Sequence, residues 1–219
     1  IQGEARHIRY KYLVDFCKKK RISTVLTAHN LEDQVETFFI RLSRGSGLTG
    51  LSSMKSLSKI ENNVYLFRPL LDVKKRYLVK IAKNTFKKYF RDPSNLNTKY
   101  LRTKIRNLRL PLKKSGIEYD QIIKSIKNLA SSKITIDEYS ERLFKELIKK
   151  SRYEVLIDLK RLKEINIDLK ISAINKAIKK LKKNYYNPRS KKVLNLIKKI
   201  ESNNFKKSTL GGCIFTKKK

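Results

Sequence analysis

The chain has 219 residues, 54 Lys and Arg against 19 Asp and Glu, a formal net charge of +35, and 40% hydrophobic residues. That apolar fraction is enough to build a core at this length, which excludes wholesale disorder. The sequence holds no run of about 18 uncharged apolar residues and no apolar leader, so neither a membrane span nor secretion is expected, and the cytoplasm is the expected compartment.

A field this strong attracts polyanions, which makes nucleic acid the leading partner class and a membrane surface the second. The excess is even, +17 over residues 1–110 and +18 over 111–219, and 39 of the cations are Lys. Ile, Asn and Lys are abundant throughout, a pattern that nucleotide bias in an A+T-rich genome also produces. Cys17 and Cys213 stand far apart, without a C-x-x-C pair and with only two His in the chain, so a disulfide framework or a zinc site is not indicated.

From Ile1 to Lys20 the residues Ile8, Tyr12, Leu13 and Phe16 recur at helical spacing and predict an amphipathic helix with a cationic outer face. The β-branched run Ser23 to Thr27 predicts a buried strand, and Asn30 is a plausible N-cap for a helix from Leu31 to about Leu42 with Val35, Phe38, Phe39 and Leu42 inward. A Gly/Ser-rich segment follows from Arg44 to Ser53. Val64 to Phe67 predicts a second strand ended by Pro69, and Lys74 to Phe86 another amphipathic helix through Tyr77, Leu78 and Ile81. This order predicts an α/β layer with a parallel sheet over residues 1–110. Beyond Asp92-Pro93-Ser94-Asn95 the period is almost wholly helical, so residues 111–219 are expected to form a mostly α-helical domain. There, Glu154 to Ile157 is a short strand candidate, about Ile171 to Lys183 and Ser190 to Glu201 are Lys-rich helices separated by Asn187-Pro188, and Cys213 to Phe215 starts like a strand.

Three clusters carry chemistry. In Thr27 to Thr37, T-A-H-N-L-E-D-Q-V-E-T, Asp33 and Glu36 are three apart on the predicted helix and share a face, while His29 and Asn30 end the preceding strand. Ligands of open α/β sheets bind at the carboxyl ends of strands, where this cluster sits. Carboxylates there could hold Mg²⁺ through water or orient an amine, and His29 could bind phosphate or exchange protons. An ordinary first helical turn, with acids suited to the helix dipole and a capping His, accounts for the same residues. The second cluster, Gly45 to Gly50, matches G-x-G-x-x-G, but a helix precedes it where the dinucleotide fingerprint needs a strand, and Leu51 stands where a Walker A loop needs Lys. It reads either as a flexible loop whose N–H groups, with Arg41 and Arg44, approach a phosphate, or as a glycine-rich helix end. In the third, Arg102 and Arg106 share a helix face with Arg109 one turn on, a row suited to phosphates with Tyr100 for stacking, or equally a set of solvated surface cations.

Taken together, E-A-R-H-I-R-Y (Glu4 to Tyr10), T-A-H-N-L-E-D-Q-V-E-T, R-G-S-G-L-T-G-L-S-S-M (Arg44 to Met54), R-P-L-L (Arg68 to Leu71), D-P-S-N (Asp92 to Asn95) and L-R-T-K-I-R with Pro111 resemble, in order, the motifs of the tRNA(Ile)-lysidine synthase family of PP-loop ATP pyrophosphatases. The resemblance is strong to about Pro111 and weaker beyond, where Leu210-Gly211-Gly212 looks like the family's later part. It implies an incomplete PP-loop sheet layer followed by a helical tRNA-binding domain. It also implies a ligase that uses ATP and Mg²⁺ to adenylate C2 of the wobble cytidine of tRNA(Ile) with a CAU anticodon, after which L-lysine displaces AMP and AUG decoding becomes AUA decoding. By the same resemblance Asp33 and Glu36 are catalytic toward lysine, Asp33 also being the candidate for Mg²⁺. Arg6 and His29 contact ATP, and Arg44, Arg68, Arg102 and Arg106 hold tRNA or the activated cytidine. The family's S-G-G-x-D-S loop has no match here, so the 219 residues are expected to be a fragment that does not adenylate tRNA alone. A tRNA thiolase of the same superfamily and a non-enzymatic basic RNA-binding module are the alternatives. The sequence sets no oligomeric state, leaving monomer and homodimer open.

Overall fold

The computed structural model describes residues 2–61, 63–90, 92, 93, 97–182, 188, 190–202 and 204–218, apart from the side chains at 2, 3 and 6. The chain divides into two compact units, Ile1–Ile134 and Thr135–Lys219.

The first unit opens with α1 (Gln2–Lys19), β1 (Thr24–Leu26), α2 (Leu31–Leu42) and the short α3 (Leu48–Leu51). After β2 (Leu57–Glu61) and β3 (Val64–Phe67) come α4 (Lys75–Phe86), α5 (Leu101–Asn107), α6 (Arg109–Lys114) and the start of α7 (Tyr119–Leu147). The sheet order is β1-β3-β2. β1 lies parallel to β3, Val25 opposite Leu66, as the predicted layer requires. β2, which the sequence does not announce, runs antiparallel to β3 and makes the sheet mixed. Its Leu57, Lys59 and Glu61 are exposed, so its alternation carries only Ile60 as an inward apolar signal.

Helix α1 corrects the predicted inner stripe. Val14 and Cys17 are the buried positions, packed with Val64, Val25 and Ile60, whereas Tyr12 is 70% and Phe16 55% exposed. Ile8, Tyr12 and Phe16 do share a face, as their i, i+4 spacing dictates, but it is not the face turned to the sheet. In α2, Leu31 and Val35 are buried against Tyr119, Ile122 and Ile126 of α7, with Phe38 and Phe39 beside them and Leu42 exposed. This packing draws the first turns of α7 into the first unit, so the compact division falls inside α7 rather than at the composition change near residue 110.

The second unit continues from α7 into β4 (Ile148–Lys150), β5 (Val155–Ile157), α8 (Leu159–Glu164), α9 (Ile167–Leu181), α10 (Ser190–Glu201), β6 (Lys207–Leu210) and β7 (Cys213–Thr216). β4 and β5 form one antiparallel hairpin and β6 and β7 another. The predicted strand at Cys213 is therefore the second arm of a hairpin, turned by Gly211 and Gly212, both at positive φ (60° and 68°) where L-residues are strained. Ile174, Ile178, Val193, Leu196, Ile197 and Cys213 belong to one core cluster of this unit, and Phe144, Leu147, Ile148, Leu162, Ala173 and Ala177 form another. Among the described residues no helix is long and apolar enough to cross a membrane.

Candidate active site

Beyond β1 the backbone stays in register with the sheet, Thr27 N donating to Phe67 O at 3.0 Å, and this fixes where His29 and Asn30 emerge. Asn30 is extended and caps α2: its Oδ1 accepts from Asp33 N (3.2 Å) and Asp33 Oδ2 accepts from Asn30 N (3.0 Å), a capping box. His29 Nδ1 lies 2.9 Å from Thr27 Oγ1. A cavity of about 350 Å³ opens here, lined by Arg9, Tyr10, Thr27, His29, Asp33 and Arg102 among others.

The predicted acidic pair and the predicted arginine row face one another. Glu36 is 2% exposed. Its Oε2 accepts from Arg102 Nε at 2.7 Å, and Arg106 holds it in a fork, Nε to Oε1 at 2.7 Å and Nη2 to Oε2 at 3.2 Å. Arg102 Nη2 also reaches Asp33 Oδ1 at 3.3 Å. The two arginines, four apart on α5, thereby bridge to two carboxylates three apart on α2. The hydrogen bond to Glu36 raises the pKa of Arg106 above its ordinary value, more than burial lowers it. Glu36 is thus saturated; Asp33, also contacted at both oxygens, lines the cavity with 20% of its side chain exposed.

Glu32, the neighbouring acid, points elsewhere: its Oε2 accepts from Lys75 N at 2.8 Å and so satisfies an N-terminal donor of α4, whose Lys74 cap offers no side-chain bond. Arg109 stacks over the ring of Tyr119 at 5.1 Å.

The glycine-rich segment is pinned, which favours the helix-end reading over the flexible loop. Gln34 Nε2 donates to Met54 O and Met54 N to Gln34 Oε1, both at 2.9 Å, and Ser53 Oγ donates to Gln34 O at 3.1 Å. Arg41 Nη1 is spent on Gly50 O (2.6 Å) and Ser53 O (2.9 Å); the N–H groups of Arg44 and Ser46 donate to Arg41 O and that of Gly45 to Leu42 O, at the end of α2, while Gly50 N donates to Gly47 O. Gly50 is required: a Cβ there would stand 2.5 Å from Ser46 Cβ. Arg44 is exposed on this turn, outside the cavity lining. Arg68 is 8% exposed and gives Nη1 to Lys55 O (2.8 Å) and Ser58 Oγ (2.9 Å), a position that fastens the start of β2 to the end of β3. The side chain of Arg6, like Ser94, Asn95 and Asn187, lies outside the described residues. Arg9 and Tyr10 are site residues that the sequence does not single out; their signal is present in E-A-R-H-I-R-Y, where both lie within about a turn of Arg6.

Among the described residues no group of three His, Cys, Asp or Glu is placed to hold a metal. Asp33, expected to bind Mg²⁺, has one oxygen in the capping box and the other toward Arg102, so the donors do not form a Mg²⁺ cage.

A PP-loop domain model matches residues 1–112. The chain belongs to the PP-loop family. Its sequence is 30% identical over 215 residues, 97% of the chain, to the tRNA(Ile)-lysidine synthase of Wolbachia pipientis wMel, covering 50% of that protein. It is 33% identical over 224 residues to that of Rickettsia typhi (99% of the chain, 50% of the relative). Over 108 residues (49% of the chain, 24% of the relative) it is 44% identical to that of Orientia tsutsugamushi. The chain spans about half the length of the curated relatives it matches along its whole length. The PP-loop domain thus contains the cavity and the whole Asp33, Glu36, Arg102 and Arg106 network.

Proposed function

We propose that the protein in which these residues function is a tRNA(Ile)-lysidine synthase acting in the cytoplasm, joining L-lysine to C2 of the wobble cytidine of a CAU-anticodon tRNA at the expense of ATP. The observation that carries this reading is the cavity at the end of β1, where a partly exposed carboxylate, an imidazole and two guanidinium groups meet, in a chain similar along its length to lysidine synthases. In the first step the cytidine O2 attacks the α-phosphate of ATP and pyrophosphate leaves. In the second a lysine amine attacks C2, and AMP departs with O2. The first step develops negative charge on phosphate oxygens, and Arg9, Arg102 and His29 are the groups at the cavity that stabilise it. The second needs an amine that has lost a proton. Asp33 holds the lysine ammonium and accepts that proton, a role suited to a carboxylate at the opening.

Glu36 has a different part. Its oxygens are occupied by Arg102 and Arg106, so it acts as a positioning residue that fixes the Arg102 guanidinium beside Asp33. Arg106 and the exposed Arg44 are candidates for tRNA contact, and Arg6 remains one for ATP phosphates; Arg68 supports the sheet instead. The thiolase alternative loses support because Cys17 and Cys213 are both buried in hydrophobic clusters. The 219 residues contain no S-G-G-x-D-S stretch, so the test takes the full-length gene product carrying this chain. Supplied with ATP, it is expected to incorporate labelled lysine into a CAU-anticodon tRNA(Ile) transcript and not into the elongator methionine tRNA. Incorporation of sulfur, or none of lysine, would sink the reading.

A further inference from the structure

We propose that the tip of the β4–β5 hairpin is an RNA-contacting surface, with Tyr153 stacking on an unpaired base and Lys149, Lys150 and Arg152 contacting the flanking phosphates. The hairpin pairs Ile148 with Ile157, Lys149 with Leu156 and Lys150 with Val155. Ile148 is buried, with Val155 and Ile157 packed against the same cluster, which leaves Lys149 and Leu156 exposed on the opposite face. Ser151 N donates to Glu154 O at 2.9 Å and closes the turn, so the tip is a held structure. On it stands Tyr153, 82% exposed, with the Arg152 guanidinium 5.4 Å from its ring centroid. A phenol placed there adds no packing to the fold. One ring face takes the guanidinium and the other is open to a flat π-system.

The local charge is arranged for an anion. Glu154 is the one acid between Lys149 and Ile157, and both of its oxygens accept from Lys218 Nζ at 2.8 Å. This ion pair neutralises the acid and brings Lys218 to the tip. Among the described residues no acid pairs with Lys149, Lys150 or Arg152. Cations around a stacking aromatic are the elements of single-stranded RNA recognition, in which the ring takes the base and the cations follow the backbone. A bilayer surface needs a broad apolar face to enter the interface, and the tip offers one ring and Leu156.

This surface rests on the tRNA reading for its biological partner but is judged by binding alone. Fluorescence anisotropy of the 219-residue chain would be measured on a labelled RNA stem-loop with unpaired loop bases and on a fully paired duplex of equal length. Tyr153→Ala is expected to weaken stem-loop binding roughly 5- to 150-fold, the range for removing one base stack, and duplex binding less than about twofold. Tyr153→Phe should bind the stem-loop like the parent. Lys149→Ala with Lys150→Ala should weaken both RNAs and flatten the plot of log K against log salt by about 0.7 to 0.9 for each phosphate left unneutralised. The proposal is overturned if Tyr153→Ala binds the stem-loop as the parent does, if it weakens both RNAs equally, or if the substitution affects only binding to phosphatidylserine vesicles. Failure of lysine incorporation with the Tyr153 effect intact would remove the enzyme reading and leave the hairpin standing.

Discussion

Replacing Glu36 by Gln in the 219-residue chain tests whether the cavity wall depends on the two arginines as the geometry implies. The substitution keeps the volume but leaves two guanidinium groups, at 2.7 Å on either oxygen, facing a neutral amide that presents a donor to one of them. Hydrogen bonds to charged groups are worth about 1.5–3 kcal/mol each, and breaking a buried pair costs about 3–5 kcal/mol. Arg102 and Arg106 are 39% and 33% exposed at the side chain and can turn to water, which places the cost at the low end, about 3 kcal/mol. For a chain of this size that lowers Tm by about 6–12 °C. Urea unfolding followed by circular dichroism gives the free energy directly. A double-mutant cycle with Arg106→Gln should show a coupling of about 1.5–3 kcal/mol. A Glu36→Gln variant within about 0.5 kcal/mol of the parent, or a coupling near zero, would refute the idea that this network holds α5 on α2.

Other substitutions probe the cap, the buried face of α1 and the alkaline limit of stability. Asn30→Ala removes the capping box of α2 and should cost about 1 kcal/mol in urea unfolding, whereas Asn30→Asp should be nearly neutral. Val14→Ala should destabilise by about 2 kcal/mol and Phe16→Ala by less than about 0.5 kcal/mol, because only Val14 is covered; the reverse order would mean that the buried face of α1 is misassigned. Burial raises the Tyr119 hydroxyl pKa, with Arg109 opposing, so the folded chain holds that proton more tightly than the unfolded one. Its contribution is complete below the unfolded value near 10 and is lost as pH rises through the folded one. Tyr119→Phe should therefore flatten the fall in stability above about pH 10, and an unchanged alkaline limb would contradict this.

What is legible in the sequence is local. Asn30 followed by an apolar period gives α2 its bounds, β3 and α10 are set by uninterrupted patterns, and spacing alone places the acids and the arginines each on one helix face. What is hidden depends on distant partners. Glu36 meets Arg102 across 66 positions and Arg106 across 70, and no period encodes that. Helix α1 is apolar on two sides, so its pattern does not say which side the sheet covers. Strands β2, β4 and β6 carry one or two apolar residues each, too few for alternation to show, although Gly211-Gly212 between short arms is a hairpin signal. The glycine-rich segment reads equally as a loop or a helix end, because the bonds from Gln34 and Arg41 that fasten it are not visible in its own sequence.

The most direct test of the proposed chemistry is Asp33→Asn in the full-length gene product, assayed for lysine incorporation into CAU-anticodon tRNA(Ile) alongside tRNA affinity. Loss of the proton acceptor at the cavity mouth should lower lysidine formation by about 10²- to 10⁴-fold while tRNA affinity changes less than about threefold. Lysidine formation at the parent rate would contradict the assignment of this cavity as the site of lysine attack.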